Sequence, residues 1–484
     1  MKKLTLALLA SVIPLCAVQA AQVEKCNIVF LLADDLGYTD LGCHGSKYYE
    51  TPNIDKLASE GMKFTSGYTC GPNCAPTRAA LMSGQYGART GIYTVGSTTR
   101  FDKGNLPLRS VDNVQALPQN VITLAQSLKR AGYATGIVGK WHLGSKDCHP
   151  MDRGFDEFFG FLGGSHSYVQ GGGILRGRTE VSEKEYLTDA FGREAVDFIR
   201  RHKDGPFFLY LAFNAVHGPL ESKPEQEAHF KSKPPVGGHH NAVYAGMDAS
   251  LDENVGRVLR VLDELKLTGK TLVIFSSDNG GVGGYAREGI QGLDVTDNAP
   301  LRGGKGMLYE GGIRVPYIFR WPGKIGAGSV NDTPINGVDL YPTLLELAGA
   351  AAPTNYTLDG TSYLNLLTGA ALPARPPLFW HFPGYLGGGR GTWRTKPGGV
   401  ILSGDWKLHE YFEDGRLELY DLKNDIGERT NLAAVHPQKA EELQRQLHAW
   451  REQTKAAMPE RNTGQNTPAK DKRKKTPVKD DTVE

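Results

Sequence analysis

The sequence lacks an excess of charge of either sign. Its 55 basic and 53 acidic residues leave a net +2, which excludes a surface built to coat nucleic acid. It also lacks long apolar runs: after the first twenty residues no segment is apolar enough to cross a bilayer. Cysteine is scarce, six in 484 residues, too few for a disulfide scaffold in a chain this long. No internal repeat is present. Glycine, by contrast, is abundant. Sixty glycines exceed the usual level of about 7% and predict many tight turns and close backbone approaches, as in a loop-rich α/β enzyme rather than a helical bundle.

The opening MKKLTLALLASVIPLCAVQA has the three parts of an export signal: Lys2 and Lys3, an apolar run from Leu4 to Val18, and a small-residue cleavage site at Val18-Gln19-Ala20. The run is short for a membrane span, and Pro14-Leu15 before Cys16 lacks the small residues of a lipoprotein site. Residues 1–20 are therefore expected to be a signal peptide, and the protein to be exported, periplasmic or secreted. About 460 residues then remain, enough for one large domain with an appendage. Five cysteines remain with them, Cys26, Cys43, Cys70, Cys74 and Cys148, an odd number that leaves at least one thiol unpaired. Cys70 and Cys74 alone would read as a local disulfide or as buried thiols.

Apolar runs alternate with amphipathic stretches, the pattern of strands joined by helices in a mostly parallel sheet. Asn27–Ala33 stops at Asp34-Asp35, Ala134–Gly139 at Lys140-Trp141-His142, Pro206–Phe213 at a loop containing His217, and Thr271–Ser276 at Ser277-Asp278-Asn279. Helices are expected over residues 121–131 and 245–267. In open α/β sheets ligands bind beyond the carboxyl ends of the strands, and here four such ends carry ionisable groups. Asp34, Asp35, Asp278 and the Asn279 amide oxygen are hard ligands suited to Ca²⁺ or Mg²⁺. Arg78, Lys140, His142, His217 and Lys305 add positive charge, Lys305 from a glycine-rich turn where backbone can approach a ligand. A metal with these cations suits a tetrahedral oxyanion ester, sulfate or phosphate. Pro76 is expected to open a helix through Arg78–Met82, with Cys74 just before its N-terminus, where anions are favoured and thiol pKa values fall.

CAPTRAALMSG (74–84) resembles the signature of the type I, formylglycine-dependent sulfatases of the alkaline phosphatase-like superfamily, with Thr77 where serine is commoner. IVFLLADDLGYTDLGCHG, TPNIDKLASEG, GYATGIVGKWHLG, RGFDEFFGF, FFLYLAFNAVHGP, VIFSSDNGG and LRGGKGMLYEGGIRVPYIFRWPGKI follow in that family's order. The resemblance implies that Cys74 is converted to formylglycine (3-oxoalanine) by a maturation enzyme, and so is not in a disulfide. It implies that Asp34, Asp35, Asp278, Asn279 and residue 74 hold Ca²⁺, ahead of Mg²⁺. It further implies that Arg78 and Lys140 stabilise the hydrated aldehyde and the anion, and that Asp278 takes the attacking proton. His142 would serve the release of sulfate, His217 and Lys305 would face the sulfate, and His217 would protonate the leaving alcohol.

The catalytic domain is expected over about 21–373 and a smaller α+β subdomain over about 374–455, with the proline-rich ALPARPPL between them. Its strands are read in GVILSG, WKLHEY and RLELYDL, and its helix over 437–455. From Ala456 to Glu484 the chain is polar and expected to be a disordered basic tail. Candidates for contacts to the rest of the substrate are His166, Arg176 and His381, with Arg178, Arg390 and Trp393 in similar glycine-rich or seam segments. The leaning is to a sulfated sugar, as for N-acetylgalactosamine-6-sulfatase-like enzymes. The alternatives are a formylglycine-dependent phosphonate or phosphodiester hydrolase, and a non-catalytic carbohydrate-binding relative.

Overall fold

The computed structural model describes residues 25–102, 106–145, 148–370, 374–389 and 391–463; the expected signal peptide and the KDKRKK stretch lie outside them. One large sheet contains β1 (Asn27–Ala33), β2 (Met62–Phe64), β3 (Ala134–Lys140), β4 (Glu157–Phe161), β5 (Ile174–Arg176), β6 (Thr179–Val181), β7 (Phe207–Ala212), β8 (Thr271–Ser277), β9 (Tyr317–Arg320) and β10 (Ser329–Asn331). Their order in space is β10-β2-β9-β8-β1-β7-β3-β4-β5-β6. The five central strands β8-β1-β7-β3-β4 are parallel, whereas β9 and β5 run against their central neighbours.

β1, β7 and β8 are apolar without alternation because both faces are covered. Val29, Leu31 and Ala33 join one core, while Ile28, Phe30 and Leu32 join the other. The first core is closed by Leu187–Arg201 and Ala242–Glu264, the second by Cys74–Ser83, Leu124–Arg130 and Leu340–Leu347. Two helix starts differ from expectation because caps decide them. Thr123 and Gln126 form a reciprocal capping box, so that helix begins at Leu124 rather than Val121. The Asn241 side chain accepts from Tyr244 N at 3.1 Å and starts the long helix three residues early.

The smaller C-terminal unit is an antiparallel sheet of β11 (Leu378–Phe382), β12 (Gly398–Ser403), β13 (Trp406–Tyr411) and β14 (Leu417–Asp421). The helix Pro437–Thr454 packs Leu443 and Leu447 against Ile401, Leu408 and Leu419. The other face of β13 carries Lys407, whose Nζ lies 2.8 Å from Glu310 and 2.9 Å from Glu428, all three side chains fully buried. Glu310 also holds Arg314 at 2.6 Å, and Glu428 accepts from the Glu310 backbone N–H at 2.6 Å. This charged cluster joins the two units. The chain beyond Ala456 does not leave the surface at once: Glu460–Arg461 pairs with Leu108–Arg109, and Asn462 N donates to Pro107 O at 2.9 Å. Backbone pairing orders this stretch where side-chain composition predicted no structure.

Removing Lys407 would leave Glu428 buried without its cation and Glu310 with Arg314 alone, and breaking a buried pair typically costs about 3–5 kcal/mol. Lys407→Met is expected to lower the urea midpoint markedly, while Lys439→Met, which removes a partly exposed pair with Glu442, should shift it little. Equal midpoints for the two variants would show that the cluster does not hold the units together.

Candidate active site

Loops at the carboxyl ends of β1, β3, β7 and β8 converge, and their backbones are tied before any side chain acts. Asp34 N donates to Ala215 O at 2.9 Å and Val216 N to Asp34 O at 2.8 Å, linking the β1 and β7 loops. Asp278 N donates to Ala33 O at 3.1 Å, and Asp35 N to Asp278 Oδ1 at 3.3 Å, linking β1 to β8. Asp35 and His142 adopt left-handed backbone (φ 63° and 55°), a conformation that non-glycine residues hold only where the surroundings enforce it.

The helix expected to start at Pro76 starts at Cys74 itself, because Asn73 is still extended (φ −137°); Pro76 sits in the first turn, where its missing N–H costs nothing. Cys74 is 1% exposed. The fall in thiol pKa expected there is not found: burial pushes Cys74 up to about 11, outweighing Lys140 and Lys305, while Asp34 and Asp278 push the same way. At neutral pH the unmodified thiol is protonated and a poor nucleophile. It is also unpaired. Cys70 donates instead to Asn336 Oδ1 at 2.7 Å, and Cys26, Cys43, Cys70, Cys74 and Cys148 are all free thiols.

Around Cys74 lies a buried set of charges. Arg78 Nε donates to Asp278 Oδ2 at 2.8 Å and Nη1 to Lys140 O at 2.9 Å, with Nη2 3.5 Å from Asp34. Lys140 Nζ is 2.6 Å from Asp34 Oδ2, and Lys305 Nζ is 2.9 Å from Asp35 Oδ2. Asn279 Nδ2 donates to Asp35 Oδ1 at 2.7 Å, which aims its oxygen elsewhere. That Asn279 Oδ1, and Asp34 Oδ1, are buried with no hydrogen-bond partner. Ligand atoms of Asp34, Cys74 and Asp278 lie within 4.8 Å of one another, as do those of Asp34, Asp35 and His217. Burial, then the charge of Asp34, pushes the Asp278 carboxyl up to about 6. Orphaned hard oxygens beside a carboxylate that resists ionisation fit a hard divalent cation. Three carboxylates against Arg78, Lys140 and Lys305 leave the set neutral. A divalent ion would make it positive and ready for an anion.

The two histidines differ. Burial, then the charge of Lys140, holds His142 well below its ordinary value, so the ring is neutral at neutral pH, and its Nδ1 is buried without a partner. His217 is pushed down to about 4 by burial and then by Lys305, although Asp35 Oδ2 lies 3.7 Å from its Nε2. Its Nδ1 is 2.7 Å from Gly218 O, which leaves Nε2 facing the site.

The candidates for outer contacts fare unevenly. His166 lies in the loop beside the site: a Cβ built on Gly164 would meet His142 Nε2 at 2.8 Å, and Asn214 Nδ2 donates to His166 O at 3.4 Å. Both His166 ring nitrogens face carbonyls, of Ser167 and Gly172. Arg176 is not brought to the cluster; it is bound by Glu194 through both Nη atoms and stacks on Phe159. His381 is likewise structural, bonded to Ala457 O at 2.8 Å between Tyr93 and Phe412. A residue the sequence reading missed is Tyr168, whose hydroxyl donates to Asn214 O at 2.6 Å and His217 O at 2.8 Å and so fixes the His217 loop. No periodicity marks it. Gly280, Gly303, Gly304, Gly311 and Gly312 let the Asn279 and Lys305 loops touch: a Cβ on Gly280 would lie 1.8 Å from Gly311 O.

A cation binding only the folded state stabilises it by about 2.7 kcal/mol at a hundredfold excess over Kd. The melting temperature of chelator-treated protein should therefore rise with added Ca²⁺ or Mg²⁺, and Asp34→Ala should abolish most of that rise. An unchanged rise in Asp34→Ala would place the cation elsewhere.

Comparison with known proteins agrees with this geometry. The family model described as Sulfatase matches residues 26–350, and that described as N-sulphoglucosamine sulphohydrolase, C-terminal, matches residues 304–457. A sulfatase of Formosa agariphila is 36% identical, over 88% of this chain and 89% of its own. The N-acetylgalactosamine-6-sulfatase of Homo sapiens is 35% identical, over 73% of this chain and 68% of its own. Among solved structures, Ps i-CgsB in complex with k-i-k-neocarrahexaose has a TM-score of 0.75 at 34% identity, covering 88% of this chain and 93% of that one. A phosphonate monoester hydrolase of Agrobacterium radiobacter, at 20% identity with a TM-score of 0.64 over 89% of this chain and 96% of its own, shares the fold. Matched along most of its length, over a range that includes the strand ends that build the buried charge set, this chain belongs to the sulfatase family and hydrolyses sulfate esters.

Proposed function

We propose that the sulfate ester is borne by a carbohydrate, and that its cleavage uses formylglycine made from Cys74 beside a bound Ca²⁺. The observation that carries the reading is Cys74 itself. A protonated, buried thiol cannot serve as a thiolate nucleophile, yet it occupies the first helical position, surrounded by Asp34, Asp278, Arg78 and Lys140. The hydrated aldehyde would supply two hydroxyls on one carbon, one to attack sulfur and one to let sulfate leave. Calcium would draw charge from the sulfate oxygens, held by Asp34, Asp35, Asp278, Asn279 and residue 74. Support for a sugar substrate comes from the relatives, one an N-acetylgalactosamine-6-sulfatase and one bound to neocarrahexaose. Export fits the amino-terminal sequence; among the described residues no helix is long and apolar enough to cross a membrane.

The chain's own groups divide the work. Arg78 and Lys140 hold negative charge at the nucleophile, and Asp278 takes the attacking proton. Neutral His142 accepts the proton whose loss frees sulfate. Lys305 and His217 face the anion. In the free site His217 is unprotonated at neutral pH, but an anion set beside Lys305 offsets the ammonium charge that pushes the ring down. Binding thereby raises the proton affinity of His217 and equips it to protonate the departing alcohol.

Peptide mass spectrometry of active protein from a maturation-competent host should show residue 74 lighter by the thiol-to-aldehyde change. Active protein carrying only intact cysteine would overturn the mechanism. Phosphonate esters outpacing sulfate esters on the matured enzyme would favour the phosphonate hydrolase alternative. His217→Ala should lose about 10²–10⁴-fold in kcat on a sugar sulfate and far less on nitrophenyl sulfate, whose leaving phenolate needs no proton. Equal losses on both substrates would reduce His217 to an anion-binding residue.

A further inference from the structure

A fourth aspartate, Asp40, is fully buried behind the charge set and has no role in the chemistry above. It ends the loop that leaves β1 with Asp34 and Asp35, and that loop closes on it as a tight turn. Gly37 N donates to Asp40 Oδ2 at 2.9 Å, and Asp40 N to Gly37 O at 3.2 Å. Only a glycine permits this closure, since a Cβ on Gly37 would lie 2.8 Å from Asp40 Oδ2. Two hydroxyls from distant segments donate to the same carboxylate, Tyr244 Oη to Oδ2 at 2.6 Å and Thr296 Oγ1 to Oδ1 at 2.8 Å. His239 Nε2 lies 3.5 Å from Oδ1. Both oxygens of Asp40 thus face donors, which an ionised carboxylate alone can satisfy together.

Each hydroxyl leads back to the site. Tyr244, in the first turn of the long helix Ala242–Glu264, also lies 3.3 Å from Asp35 O, so its one hydrogen is shared between that carbonyl and Asp40. Asp35 is the residue held at φ 63°, a strained backbone that persists only where its surroundings enforce it. Asn279 and Lys305 hold its side chain, but its carbonyl is held by Tyr244. Thr296 opens the second route. Thr39 Oγ1 donates to Asp297 O at 3.0 Å, and Asn298 Nδ2 lies 3.0 Å from Gly281 O, 3.0 Å from Gly283 O and 3.1 Å from Gly303 O. The turn closed by Asp40 is therefore bound to residues 296–298, and these to the loops of Asn279 and Lys305.

We propose that Asp40 is a positioning residue for the cation site. Through Tyr244 it holds Asp35 in its left-handed conformation, and through Thr296 it sets the Asn279 and Lys305 loops against that residue. It is not itself a ligand. Without it Asp35 relaxes toward ordinary backbone, and its carboxylate leaves the point where the ligand atoms converge. The assignment rests on the cation reading above and extends it to a residue outside the ligand set.

The test measures Ca²⁺ affinity by calorimetry on the full, matured, chelator-treated protein, together with its melting temperature before the ion is added. Asp40→Asn keeps the side chain's size but sets N–H groups against donors on one side. It should weaken Ca²⁺ binding by about 10–100-fold, the range typical of a partner behind a metal ligand. Tyr244→Phe deletes one hydroxyl, carries the test if Asp40→Asn does not fold, and should weaken binding about fivefold. Asp252→Asn is the control. Asp252 is a buried carboxylate about two turns further along the same helix, and it accepts from Asn53 N at 3.1 Å and Ile54 N at 2.8 Å rather than from the 34–40 loop. That variant should lower the melting temperature and leave Ca²⁺ affinity as in wild type. Affinity unchanged in both Asp40→Asn and Tyr244→Phe overturns the assignment. So does an equal loss in Asp252→Asn, which would reduce Asp40 to a contributor to stability. Absence of Ca²⁺ binding in wild type, or undiminished binding in Asp34→Ala, overturns the cation reading, and the assignment with it.

Discussion

Everything at the site depends on keeping three carboxylates ionised where water cannot reach them. Asp34, Asp35 and Asp278 are buried within a few ångströms of each other, and isolated charges in such a place would take up protons instead. Arg78, Lys140 and Lys305 offset part of that cost, each bonded to at least one of the three. The balance is strained at Asp34 and Asp278, both pushed above the ordinary carboxylate range by burial, and a divalent ion would relieve both. Such an ion would leave surplus positive charge for an anionic ester. Cation site and substrate site would then be one electrostatic arrangement rather than two adjacent features.

That arrangement is held from below by the C-terminal unit. Lys407 anchors Glu310, Glu310 begins a short helix, and the glycines of that helix lie directly against the backbone of the Asn279 and Lys305 loops. Gly280 N donates to Gly312 O at 3.0 Å, and Gly311 N to Arg302 O at 2.8 Å. With no side chains between them, a shift at the seam passes to both loops as backbone displacement. The smaller unit is therefore part of the site's scaffold.

The strand ends were legible because an apolar run that stops at charged residues can be read without knowing the fold. Asn27–Ala33 has the expected bounds, β3 and β8 run one residue longer than theirs, and β7 is one residue shorter at each end. Local rules failed where distant packing took over. A helix N-terminus alone would lower the Cys74 thiol; burial beneath four loops raises it. Arg176 looked available in a glycine-rich stretch, but Glu194, eighteen residues away, claims it. WKLHEY is the strand the sequence marks, but nothing local says where Lys407 and His409 point. They face the catalytic domain, because the partners that satisfy them, Glu310 and Glu428, come from elsewhere in the chain.

The glycine contact also divides the molecule by tolerance to change. At Gly280, Gly304, Gly311 and Gly312 a Cβ would fall within 1.8 to 2.2 Å of a carbonyl oxygen, so no other residue fits without moving the loops that carry Asn279 and Lys305. The hairpin across the seam, Leu386–Gly389 with Thr392–Thr395, has no such restriction at Trp393 or Arg394, which are half-buried and touch side chains. Variation can accumulate on the hairpin at little cost to folding, while the glycine side admits almost none. A lineage adapting to a new sulfate ester would therefore be channelled into rewriting residues outside the glycine contact, with the machinery that breaks the ester carried along unchanged.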